Sequence, residues 1–174
     1  MLDSEVDALL DAARKSKHFP HRNYCLVLLM YRHALRLSEA IGLTWDQIDL
    51  KSESFYVERL KGSVSSTHPL RPIETMALKL LKQESSEHNH VFISQRDKPL
   101  ASRGVQKLMA SFGKDAGISF PVHPHMLRHA CGYRLANEGR DTRVIQAYLG
   151  HKDIRNTVIY TELSPKRFDS LFLE

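Results

Sequence analysis

The stretch His123-Pro-His-Met-Leu-Arg-His129, with the segments C-terminal to it, constrains this chain more than any other feature. Leu149-Gly-His151 and Val158-Ile-Tyr160-Thr161 come after it in a region whose apolar residues keep helical spacing, so an arginine, several imidazoles and a tyrosine must share one helical body. An arginine between imidazoles suits a bound phosphate, because its planar fork grips two oxygens and stays ionised. A nearby tyrosine is a nucleophile once cations or a base ease the loss of its proton. Pattern alone does not separate Tyr160 from Tyr133 and Tyr148, which also read as amphipathic core residues. His125 and His151 suit acid–base or hydrogen-bonding work at a phosphate. The rival reading makes His125 and His129, four apart on one helix face, zinc ligands. Met126 opposes it, since the zincin pattern needs a glutamate directly after its first histidine.

The rest of the chain must supply a fold around this stretch. Residues 3–16 read as a helix with Val6, Leu9, Leu10 and Ala13 on one face and Asp3 as its cap; His18-Phe-Pro20 ends it. A second helix from His21 through Tyr24, Leu28 and Tyr31 is apolar nearly all round and should be central. After a break at His33–Glu39, Ser38 can cap a short helix carrying Ala40, Ile41 and Leu43, and Trp45–Asp49 leads towards a strand. Ser54–Leu60 alternates as a strand, with Ser65–Ile73 returning antiparallel as an edge strand because of Pro69 and Pro72. Helices follow from Glu74 to about Glu84, from a Ser102 cap through Phe112, and from Leu127 to a stop at Gly139. Asp141 caps Thr142–Leu149, Asp153–Tyr160 is helical, and Ser164-Pro165 opens a last helix bearing Phe168, Leu171 and Phe172. The expected class is mainly α with one small antiparallel sheet.

Composition narrows the setting. At 174 residues and 42% hydrophobic, the chain suits a single domain, 1–174, with one core. A net charge of +5 fits a nucleic-acid partner without requiring one. Cys25 and Cys131 sit in apolar helical patterns and read as buried free thiols of a reducing compartment, which excludes a disulfide framework. The acidic start Met1-Leu-Asp-Ser-Glu5 has no leader-like apolar run, and Leu26–Tyr31 is too short to span a bilayer. A cytosolic protein is expected.

Phosphodiester chemistry without a metal needs further cations, and the first half of the chain carries them. Arg36 lies where a helix breaks, beside Ser38 and Glu39, which can orient it; the ordinary alternative is a surface ion pair with Glu39. Lys61, next to Gly62 at a turn, can swing into a groove and protonate a leaving oxygen, although most such lysines are simply solvated.

Together, Leu35-Arg-Leu-Ser-Glu39, Lys61-Gly62, His125-Met-Leu-Arg128-His129, Leu149-Gly-His151 and Tyr160 resemble, in order and interval, the motif set of the tyrosine recombinases, the phage integrase family. The resemblance covers essentially the whole chain. Residues 22–26, 66–70 and 123–129 look most like the short recombinases that invert fimbrial promoter switches. The resemblance implies a catalytic-domain fold and a site-specific DNA recombinase acting by inversion or integration. Tyr160 would attack the scissile phosphate to form a 3′-phosphotyrosyl link, with Arg36 and Arg128 on the non-bridging oxygens. Lys61 would protonate the 5′-oxygen, His125 would assist proton transfer with the nucleophile, His151 would hydrogen-bond the phosphate, and Glu39 would support the site. It implies no cofactor and no metal. Double-stranded DNA would be the partner, with a tetramer on DNA linked by the C-terminal segment of Phe168, Leu171 and Phe172, which otherwise folds back on its own domain. Two rival activities are type IB topoisomerase-like relaxation and a catalytically silent DNA-binding regulator; the complete residue set argues against the latter. This chain departs from the family in leaving no room for an N-terminal core-binding domain, in carrying Ala34 where glycine is usual, and in a hairpin poor in basic residues.

Overall fold

The structure, a computed structural model, describes residues 1–59, 63–84 and 88–164. Its elements run α1 (Asp3–Arg14), α2 (Pro20–Arg32), α3 (Leu37–Ile41), β1 (Ile48–Asp49), β2 (Ser54–Val57), β3 (Ser66–Pro69), α4 (Pro72–Glu84), α5 (Ser102–Asp115), α6 (Pro124–Asn137), α7 (Thr142–Leu149) and α8 (Arg155–Glu162). The mainly helical class with a small antiparallel sheet is borne out. Helix α2 is buried on every side from Arg22 to Tyr31, and α1, α4 and α6 pack around it. Helices α7 and α8 pack in turn on α6, and β3 touches α7. Among the described residues, no helix is long and apolar enough to cross a membrane.

Most differences from expectation have local causes. The cap of α1 falls at Leu2, whose backbone N–H is accepted by Glu5 at 2.7 Å, so Asp3 is already helical. Arg36 rather than Ser38 precedes α3, because Glu39 reaches back to accept the Arg36 N–H at 2.8 Å. Ala101 rather than Ser102 precedes α5. The return strand is shorter than Ser65–Ile73: Pro72 opens α4, two residues before the expected Glu74, where its missing N–H costs nothing. Strand β2 stops at Val57 instead of Leu60, as the Arg59 N–H is accepted by the Ser65 side chain and not by a carbonyl of the ladder. Ile48–Asp49 adds a third strand, pairing Ile48 with Phe55, and the sheet order is β1-β2-β3. Helix α8 starts at Arg155, whose N–H is accepted by Asp153. Lys61 and the expected last helix, with Phe168, Leu171 and Phe172, lie outside the described residues.

Candidate active site

Three segments meet at one carbonyl oxygen, that of Ala34. Helix α2 ends in a turn that places Ala34 in the left-handed region at φ 51°, with the Leu35 N–H returning to Met30 O at 3.1 Å. This conformation favours glycine, and an alanine here is held by what its carbonyl receives. Arg128 of α6 donates Nη1–H to Ala34 O at 2.5 Å, and Arg59, just past β2, donates to the same oxygen at 3.1 Å. The Arg128 Nη2 also donates to Leu149 O, at the end of α7, at 2.6 Å. Arg128 is 1% exposed, and burial first, then the Arg59 and Arg36 charges, lower its pKa to about 10.

The turn that makes Ala34 left-handed also aims Arg36. Glu39 lies between two guanidinium groups: Oε1 accepts from Arg36 at 2.7 Å and Oε2 from Arg59 at 2.7 Å. Burial alone would raise the Glu39 pKa, but the Arg59 charge and the Arg36 hydrogen bonds outweigh it and hold the carboxyl low. Arg36, about a third exposed, faces an open groove of about 660 Å³ that is also lined by Ser63, Arg143, Gln146, His151 and Lys152. Arg36, Arg59 and Arg128 cluster about the single carboxylate of Glu39, an excess of positive charge that reaches the groove through Arg36, although Asp153 also lines it. That excess suits an anion whose own charge grows during reaction.

His151 follows the left-handed Gly150 (φ 68°) at the end of α7, and its Nδ1 lies 2.9 Å from Thr157 Oγ1 on α8. Burial, and then the Arg128, Arg36 and Arg59 charges, depress its pKa to about 4, so it is neutral at pH 7. A neutral imidazole can hydrogen-bond a phosphate without adding charge.

Tyr160 lies behind the groove on α8, packed against α6 and 2% exposed. Gly132 makes room for its ring: a Cβ there would meet Tyr160 Cε1 and Cζ at 2.8 Å. The tyrosine Oη lies 2.9 Å from His129 Nδ1, and its ring lies nearly parallel to His151 at a centroid distance of 6.4 Å. Burial raises the phenol pKa, with Arg128 opposing it and Tyr133 and Cys131 adding to it. His129 is held below its ordinary range, by burial and then by Arg128 and His123, and is therefore a neutral proton acceptor. His125 meets His129 edge to face at 4.6 Å and is likewise depressed, by burial and then by His129 and Arg128.

The structure thus brings together Arg36, Glu39, His125, Arg128, His151 and Tyr160. The imidazole hydrogen-bonded to Tyr160 is that of His129, one helical turn on from His125. Tyr148 instead stacks on His68 at 4.1 Å and donates to Arg32 O, away from the groove. Tyr133 packs edge-on against Tyr160. Among the described residues, no three histidine, cysteine or acidic side chains are grouped as metal ligands. Sequence reasoning missed Arg59, although its position carried a signal: with Phe55 and Val57 it shares the inward phase of the strand, and all three are buried.

The chain is similar in sequence and in fold to known proteins. A model described as the phage integrase family matches residues 1–167. The type 1 fimbriae regulatory protein FimB of Escherichia coli strain K12 is 45% identical over 170 residues, which is 95% of this chain and 84% of that protein. The tyrosine recombinase XerD of Halalkalibacterium halodurans is 34% identical across 97% of this chain, which spans only 58% of that longer protein. The crystal structure of XerA recombinase superposes with a TM-score of 0.84 at 25% identity, covering 98% of this chain and 62% of XerA.

Proposed function

The chain belongs to the phage integrase family and is a tyrosine-type site-specific DNA recombinase, and on that premise we propose that Tyr160 cleaves and rejoins duplex DNA within the groove beside Arg36. The observation that carries this reading is the arginine cluster, positive in excess, with the buried Tyr160 hydrogen-bonded to His129, the residue next to Arg128. Arg36 and Arg128 hold the non-bridging oxygens, and His151 hydrogen-bonds one of them. Tyr160 Oη bonds to phosphorus, the bond to the 5′-oxygen breaks, and a 3′-phosphotyrosyl link remains. Lys61 protonates the departing oxygen. The phenol proton passes to the His129–His125 pair, of which His129 makes the contact. Glu39 holds Arg36 in place. Attack by a 5′-hydroxyl from another duplex reverses the sequence of events, and the tyrosyl link has kept the phosphodiester energy, so no nucleotide cofactor is consumed.

The resemblance of residues 22–26, 66–70 and 123–129 to the short recombinases that invert fimbrial promoter switches supports inversion of a DNA segment as the outcome. The same reading assembles the chain as a tetramer on DNA, with Phe168, Leu171 and Phe172 docking between protomers. The test is a nicked duplex, recovered from a random library by selecting protein-linked DNA, incubated with the chain and analysed after SDS. Wild type forms a covalent adduct, and Tyr160→Phe binds the duplex equally well without forming it. An adduct that persisted in Tyr160→Phe would sink the assignment.

A further inference from the structure

Arg59 has no role in the cleavage chemistry, yet every acceptor it binds belongs to a segment that carries a reacting group. Nη1 donates to Ala34 O and Glu39 Oε2, and Nη2 donates to His33 O at 3.0 Å and Tyr148 O at 2.9 Å. Glu39 and Ala34 lead to Arg36, since the carboxylate grips that guanidinium and the turn at Ala34 precedes it. The Ala34 oxygen is shared with Arg128. Tyr148 O belongs to the last turn of α7, which delivers Gly150 and His151, and a Cβ on Gly150 would meet Arg59 Cγ and Nε at 3.0 Å. On the other side, the Arg59 N–H is accepted by Ser65 Oγ at 2.9 Å, and the Val64 N–H reaches Gly150 O at 3.3 Å.

Stability alone is a poor explanation for such a residue. The Arg59 side chain is wholly buried, and a buried ion pair is commonly replaced by apolar side chains of similar volume without loss of stability. A guanidinium with four acceptors on three segments does something an apolar residue cannot: it fixes their relative positions to within hydrogen-bond tolerance. We infer that Arg59 is a positioning residue that sets Arg36, Arg128 and the His151 turn in the geometry that stabilises the reacting phosphate. The inference rests on the recombinase reading of this site.

Its test uses the full-length chain, the selected nicked duplex and two forms of the scissile group. One is the ordinary phosphodiester; in the other, a methyl replaces one non-bridging oxygen and removes the charge that the arginines offset. Arg59→Met is expected to slow single-turnover cleavage of the phosphodiester about 100-fold, the typical cost of misplacing catalytic groups by about an ångström. Affinity for the duplex should change less than about threefold, since backbone contacts elsewhere supply most of it. On the methylphosphonate the loss should shrink to less than about tenfold, in parallel with that of Arg36→Ala. Arg59→Lys, which keeps the charge and loses the fork, should show the same narrowing between substrates and serves as the measured variant if Arg59→Met does not fold. Equal losses on both substrates, or a phosphodiester rate within threefold of wild type, would overturn the inference. Failure of wild type to form the adduct would instead overturn the recombinase reading.

Discussion

The two halves of the site are held in opposite ways. On the electrophile side, Arg59, Arg128 and Glu39 are buried, and each is fixed by two or more hydrogen bonds to backbone carbonyls or to one another. On the nucleophile side, Tyr160 has, among the described residues, one side-chain hydrogen-bond partner, His129, and otherwise packs against Tyr133 in the space left by Gly132. The difference follows from what each half must do. Charge that stabilises a phosphate acts best when it need not reorganise, so its cost is met on folding. In the proposed mechanism, a phenol that leaves contact with α6 to bond DNA gains nothing from being pinned by many groups. Its neutral resting form is favoured by burial, and its activation depends on neighbours.

The largest effect that can break this contrast is removal of the one tyrosine partner. His129→Ala should slow cleavage about 100-fold at neutral pH, in the range for loss of a proton acceptor. The deficit should narrow as pH rises, because the phenol then ionises without help. Single-turnover rates from pH 6 to 9 test this; a faster variant would mean that His129 restrains Tyr160 and does not activate it.

Acid should separate the halves next. His68, behind the arginine cluster, has its pKa lowered to about 3 and His151 to about 4, burial being the first cause in both. Unfolded imidazoles take up protons near 6.5 while these folded ones do not, so both contribute stability that is complete above about pH 6.5 and is lost as pH falls towards 4. Each contributes a slope of up to about 1.4 kcal/mol per pH unit. Urea midpoints should therefore fall across that window, and His68→Asn should flatten the fall. An unchanged slope in that variant would remove His68 from the account.

The smallest effect concerns the turn beneath both arginines. Ala34→Gly relieves a left-handed alanine at the price of a floppier unfolded chain, and should raise stability by about 0.5–1 kcal/mol with cleavage unchanged. Thermal unfolding decides the sign. A loss of stability would show that the hydrogen bonds to the Ala34 carbonyl, and not backbone strain, govern the turn.

Much of the architecture was legible because its signals are local. The helix at Thr142–Leu149, with its Asp141 cap and Gly150 stop, matches expectation at both ends, since capping and a left-handed glycine are decided within one turn of chain. Strand limits were less legible. Whether β2 ends at Val57 or Leu60 depends on where the Arg59 N–H goes, and the side-chain partners that hold Arg59 lie 20 to 89 positions away. The candidate site divides in the same manner. Arg36, Arg128, His151 and Tyr160 carry motif spacing, whereas Arg59 offers only an inward strand phase that any buried residue would share.

By itself, the sequence determined which groups the chain possesses: two arginines, several imidazoles and a tyrosine at the intervals of one motif set. It also determined the family, because ordered motifs are a property of the chain and not of its coordinates. Only the tertiary structure decided which imidazole meets the phenol, since His125 and His129 share a helix face and a difference of one turn is settled by where α8 packs. It likewise decided that Arg59 joins Arg128 at a single carbonyl. Charges distant in sequence become partners only when burial removes the water that would otherwise separate them.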